Sequence, residues 1–257
     1  MRTVHEGVEY AFRIGYRPLE LDLYLPSAGR APVVLFLHGG GWRRGTRRDF
    51  GHAFEDWRPS PFERIAAAGF AVASAGYRLS GEARHPAQLH DVRAAIDWLR
   101  AHGDEYGFDG SRIVAWGASA GAHLAALAAL TGPGIEAVVG WYGVYDLAAM
   151  PDPGDPSSRE SLLLGSAVGD VPALAAEASP ITHAHVGAPP FQLWHGTADR
   201  LVPLAQSERM AEALSSAGAP VELRRVEGAD HIWRDAPDVT AVFEKSLDFA
   251  RGVLARP

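Results

Sequence analysis

The chain of 257 residues contains no cysteine. Disulfides, thiolate metal sites and a cysteine nucleophile are thereby excluded, and any covalent chemistry must run through another side chain. Positive charge is also in deficit: 24 Lys and Arg against 31 Asp and Glu give a formal net charge of −7. Such a balance offers no basic surface for a phosphate backbone or an anionic headgroup, so nucleic acid is not an expected partner. Long hydrophobic runs are missing as well. Stretches such as AGFAVASAG and HLAALAAL fall well short of the roughly 18 to 20 apolar residues that span a bilayer, and no membrane association is expected. The opening MRTVHEGVEYAFRIGYRP carries charges every few residues and lacks the apolar core of a secretory signal. The expected location is therefore the cytoplasm.

What remains is ordinary globular composition, 47% hydrophobic and 21% charged, in a length that α/β folds fill as one domain, residues 1–257. Near-continuous apolar runs recur: LELDLYLP, PVVLFLHGG, FAVASAGYRL, RIVAWGAS, IEAVVGWYG, FQLWHGTAD and VELRRVEGAD. Strands of this kind are buried on both faces and belong to a mostly parallel sheet. Between them, PSPFERIAAAG, PAQLHDVRAAIDWLRAHGDEYG, SAGAHLAALAAL and PLAQSERMAEALSSAG repeat apolar residues at helical spacing. Pro86 opens the second of these helices and Gly218 closes the fourth. The alternation predicts a three-layer α/β/α sandwich, with the first two strands, roughly residues 8–25, as an antiparallel hairpin at one edge. Residues 146–190, rich in proline, glycine and serine but holding two short helical patterns, exceed an ordinary connection and read as a lid or substrate-loop insertion.

Within VAWGASAGAH, Ser119 stands between Gly117 and Gly121, where a buried strand turns into a helix. A serine on that turn projects above the carboxyl edge of the sheet, beside helix N–H groups that favour developing negative charge. The five-residue pattern alone arises by chance roughly 0.2 times in such a chain, so the strand before it and the helix after it carry the reading. A serine hydroxyl needs a base, and the carbonyl it attacks needs donors. LFLHGGGWRRG ends a strand on His38, Gly39, Gly40 and Gly41. The amides of Gly40 and Gly41, with that of Ala120, are the expected oxyanion donors.

For the base, His231 follows the last strand in VELRRVEGADHIW, and Asp199 occupies the loop after the preceding strand in FQLWHGTADRLVP. Asp199 would hold the imidazole's tautomer. Asp146, after VVGWYGVY, is the rival acid, and Asp230 reads as a loop residue. His38 is expected to brace the glycine loop, and His123 to pack in the helix after Ser119. His183 and His185 in THAHV raise a metal site, but two imidazoles without carboxylate or thiolate partners make a poor one. No metal and no cofactor are expected. Trp42 and Trp233, each on a loop beside a candidate site residue, are the expected substrate walls.

With HGGGW, GASAGAHLAAL, SPITH, HGTADRLVP and GADH in this order, the chain resembles an α/β-hydrolase serine esterase. It is similar to the small polysaccharide-esterase-like branch of acetyl-xylan and feruloyl esterases and, more loosely, to the hormone-sensitive-lipase family. The match covers residues 10–254. The resemblance implies Ser119 as nucleophile, Asp199 as acid, His231 as base and metal-free hydrolysis of carboxylic esters. Hormone-sensitive-lipase relatives carry a helical cap before the glycine loop; here the preceding residues read mainly as strands, so the cap is small or absent and the cleft open. GADHIW departs from relatives in the residues flanking the histidine, which bears on the wall there.

The expected function is hydrolysis of short-chain acyl esters of a small molecule or carbohydrate, acetylated or feruloylated sugars among them, through an acyl-enzyme. An amidase, arylformamidase or peptidase on the same triad is the alternative, since the triad does not distinguish ester from amide. A non-catalytic binding module on this scaffold is a third reading.

Overall fold

The computed structural model describes residues 3–27 and 29–255. Eight strands form one sheet: β1 (Thr3–Ala11), β2 (Leu19–Leu25), β3 (Ala31–Leu37), β4 (Ala71–Ala75), β5 (Phe108–Ala118), β6 (Ala137–Trp141), β7 (Phe191–Gly196) and β8 (Val221–Val226). Their spatial order is β1-β2-β4-β3-β5-β6-β7-β8. β1 pairs antiparallel with β2, and β2 with β4; every other pair is parallel. The edge hairpin is thus where the sequence places it, although β1 already begins at Thr3.

Alternate residues of β3 enter opposite cores, as a period of two requires. Val33, Leu35 and Leu37 pack with α2 (Ala87–Tyr106) and α3 (Ala120–Thr131), whereas Val34 and Phe36 pack with α1 (Pro61–Ala67) and α7 (Val239–Leu254). The arrangement is the α/β-hydrolase sandwich, with helices on both faces of a mostly parallel sheet. Every residue of α3 from Ala120 to Leu130 is buried, as an alanine-rich helix against the middle of the sheet must be. α7 carries Val242, Phe243, Leu247 and Ala250 into the second core; the strand-and-helix alternation of the sequence does not call for it. Ser60 and Glu63 form a capping box on α1, and Gly107 ends α2 in a left-handed conformation.

Between β6 and β7 the chain makes α4 (Arg159–Leu164) and α5 (Pro172–Glu177), with single 3-10 turns around them; α6 (Ala205–Ser216) follows β7. The segment is seated on the core by Leu147, Leu163, Leu164, Val168 and Ala175. No helix precedes β3 among the described residues. None of the described helices is long and apolar enough to cross a membrane.

Candidate active site

β5 ends at Ala118 and α3 begins at Ala120, leaving Ser119 alone at the junction with φ 54° and ψ −117°. A non-glycine residue in that region is strained by roughly 1–3 kcal/mol, and the surroundings hold it there. Ser119 N donates to Trp141 O at 2.8 Å, and its own carbonyl accepts the His123 amide of the first helical turn at 3.1 Å. The flanking glycines are sterically obligatory. A Cβ on Gly121 would lie 1.9 Å from Leu37 O, and one on Gly117 would lie 2.3 Å from Gly121 itself.

Ser119 Oγ lies 3.1 Å from His231 Nε2, and His231 Nδ1 lies 2.7 Å from Asp199 Oδ2. The loops after β5, β7 and β8, 112 and 32 residues apart in sequence at these two contacts, meet over the carboxyl edge of the sheet. Asp199 is itself anchored: Oδ1 accepts the Leu201 and Val202 amides at 2.9 Å, and Oδ2 lies 3.3 Å from His195 Nε2. Burial pushes its carboxyl upward, but the hydrogen bonds from His195 and His231 prevail and hold it well below the usual carboxylate range. His195 carries no role in the sequence reading. Fully buried, it accepts from Ser207 Oγ at 2.7 Å through Nδ1 and donates from Nε2 to Val202 O at 2.9 Å. The available signal was an imidazole at the end of an otherwise apolar strand.

Asp230 ties the two loops together. It accepts the amides of Arg200 at 3.0 Å and of His231 at 2.8 Å, and the Arg200 Nε at 2.8 Å. These donors pull its carboxyl down to about 2. Ile232 and Trp233, directly after His231, have φ of 60° and 62°, unusual for a β-branched and a bulky residue. The Tyr142 ring packs 4.7 Å from His231 on the other side.

The amides of Gly40, Gly41 and Ala120 make no hydrogen bond to any described residue, and all three residues adjoin Ser119 or line the same cleft. His38 braces the loop as expected. Its ring stacks on Tyr77 with centroids 4.3 Å apart, Nδ1 lies 2.7 Å from Gly39 O, and Tyr77 Oη donates to the His38 carbonyl at 2.8 Å. His123 Nδ1 accepts the Trp42 indole N–H at 3.2 Å while Nε2 donates to Ala178 O at 2.7 Å. One imidazole thereby joins the glycine loop, α3 and the segment before β7.

Burial lowers His38 to about 4 and His123 to about 3, from an ordinary 6.5. Below 6.5 the unfolded chain takes up protons that the folded one refuses, so stability falls as pH drops from 6.5 towards 4. The melting midpoint is expected to decline already between pH 6.5 and 4.5, less steeply in His123→Gln. A flat midpoint over that window would rule this out.

Two expected walls are not at the cleft. Trp42 is fully buried and committed to His123, and Trp233 is 3% exposed, packed 5.6 Å from Trp141 and 4.8 Å from Tyr142. Both have left-handed backbones, φ 56° and 62°, which turn the indoles inward from loops that sequence adjacency places beside the site. Asp146 is also engaged elsewhere: it caps Ala149 N and pairs with Arg209 at 2.7 Å. His183 donates to Glu177 O and His185 accepts from Gly187 N.

The cleft above Ser119 encloses about 1110 Å³. The glycine loop, Phe50, Tyr142, Leu201 and Ile232 form part of its wall, together with Arg43, Arg44, Arg159, Arg200 and Arg234. Arg159 comes from α4, the segment expected to contribute a substrate loop.

The fold and the Ser119, His231 and Asp199 geometry are those of the α/β-hydrolase class. Residues 21–214 match the BD-FAE family model, and the chain belongs to that family. It is 35% identical over 264 residues to the esterase LipQ of Mycobacterium tuberculosis, covering 94% of this chain and 61% of LipQ. It is 35% identical to the probable carboxylic ester hydrolase LipM of the same organism, covering 89% of this chain and 52% of LipM. The chain therefore spans between half and two thirds of the length of these curated relatives. Among solved structures, a truncated carbohydrate esterase from gut microbiota superposes with TM-score 0.87 at 29% identity, covering 99% of this chain and 97% of that one. The propionate-bound esterase Est2 of Thermogutta terrifontis gives 0.76 at 30% identity, covering 99% and 93%.

Proposed function

We propose that this chain is a serine carboxylic-ester hydrolase acting on short-chain acyl esters, with carbohydrate esters as the leading substrates. The observation that carries the reading is the continuous hydrogen-bonded chain from Ser119 Oγ through His231 to Asp199, 3.1 Å and 2.7 Å long in its two links, at the floor of the cleft.

His231 Nε2 takes the Ser119 proton as Oγ attacks the ester carbonyl, and Asp199 stabilises the imidazolium without accepting its proton. The amides of Gly40, Gly41 and Ala120 receive the oxyanion. Collapse expels the alcohol, protonated by His231, and leaves an acyl group on Ser119. Water, deprotonated by the same imidazole, then releases the acid. The cleft wall mixes arginines and aspartates with Phe50, Tyr142, Leu201 and Ile232, and its charged part favours a polar alcohol portion beside a short acyl group. Residues 146–190 supply the Arg159 side of that wall, within a single domain.

The test is a p-nitrophenyl ester series from acetate to long acyl chains, run beside acetylated xylan, a feruloyl ester and matched anilides. Turnover confined to short acyl esters, with little on anilides, is expected. Anilide turnover exceeding that of the matched ester would shift the assignment to the amidase reading.

A further inference from the structure

The cleft wall runs against the charge of the whole molecule. In a chain of net charge −7, the lining holds five arginines and two aspartates. Asp230 is taken up by Arg200, and Asp49 by the amide and hydroxyl of Thr46. Arg43, Arg44, Arg159 and Arg234 have no carboxylate partner among the described residues. Arg159 is only partly exposed, and its stem lies on the glycine loop: its Cδ is 2.6 Å from where a Cβ on Gly41 would stand. Gathering unpaired guanidiniums around one concavity costs mutual repulsion, and concave walls focus the resulting field on whatever enters. The guanidinium fork matches a carboxylate or a phosphate.

We infer that the mouth of this cleft is a binding site for an anionic substituent, so that the preferred esters carry a carboxylate or phosphate on the portion reaching the mouth. The inference rests on the ester-hydrolase reading and names its substrate class.

Three acetylated sugars that share the position of the ester test it: a methyl glucoside, the methyl glucuronoside, and the methyl glucoside phosphorylated at its primary hydroxyl. At low ionic strength kcat/KM for acetate release is expected to favour an anionic sugar by about tenfold, carried by KM, as for a hydrogen bond to a charged group. The advantage shrinks at high salt, and the faster anionic arm identifies the anion. Combined Arg159→Gln and Arg234→Gln brings the ratio to near one, whereas Arg251→Gln on α7, outside the cleft, preserves it. Equal or better turnover of the neutral sugar overturns the inference, as does a ratio that survives the double variant. If no ester is turned over and a fluorophosphonate fails to label Ser119, the hydrolase reading falls. Calorimetric binding of methyl glucuronoside and of the phosphorylated methyl glucoside, each against methyl glucoside, then decides the anion site alone: a preference for either anion that is lost in the double variant upholds it, and no preference for either, or one that survives the double variant, overturns it.

Discussion

Ser119→Ala lowers kcat on p-nitrophenyl acetate by about 10⁵-fold or more, the scale on which removing a serine nucleophile acts. KM changes little, because the substitution deletes one hydroxyl and leaves the cleft wall intact. On the proposed mechanism the residue of activity comes from the amides of Gly40, Gly41 and Ala120, the proposed oxyanion donors, which the substitution leaves in place. Alanine inherits the φ of 54° that serine already tolerates, so the elbow keeps its shape and a circular dichroism spectrum matching the parent is expected. Retention of a tenth of wild-type turnover would remove Ser119 from the mechanism.

Asp199→Asn is expected to cost about 10⁴-fold in kcat, through the tautomer of its neighbour. The carboxylate now accepts from His231 Nδ1 at 2.7 Å, which leaves Nε2 unprotonated and facing Ser119. An asparagine amide can donate to Nδ1 instead, moving the proton to Nε2, where it cannot accept from serine. Asp146→Asn is the contrast. That carboxylate caps a 3-10 turn and pairs with a half-exposed Arg209, an interaction worth about 1 kcal/mol or less, so activity stays within about threefold of wild type. The reverse ranking would move the acid to the loop after β6. The hydrogen bonds from His195 and His231 hold the Asp199 carboxyl far below the working range, so it stays ionised wherever the enzyme is assayed.

Much of this was legible in the sequence. The buried strands showed as unbroken apolar runs, because a parallel sheet hides both faces, and Gly117 and Gly121 marked the elbow because no side chain fits at either position. His231 and Asp199 were readable because each follows a strand in the chain order of the class. Side-chain direction was less so. Trp42 and Trp233 sit beside site residues in sequence, yet left-handed backbones turn both into the core, and composition offers no sign of that. His195 is chemically conspicuous at the end of β7, but only the turn at Val202 brings that carbonyl and Asp199 to its Nε2.

The sequence by itself determined the strand-and-helix alternation, the elbow, the glycine loop and the residue types of the triad. These depend on local sterics and hydrophobic periodicity, which neighbours along the chain specify. Only the tertiary structure decided that Asp199 rather than Asp146 meets His231, and that Trp42 is spent on His123. It also decided that five arginines from four segments far apart in sequence share one wall. Those outcomes depend on which loops converge over the sheet's carboxyl edge, and that convergence is fixed by strand order and packing.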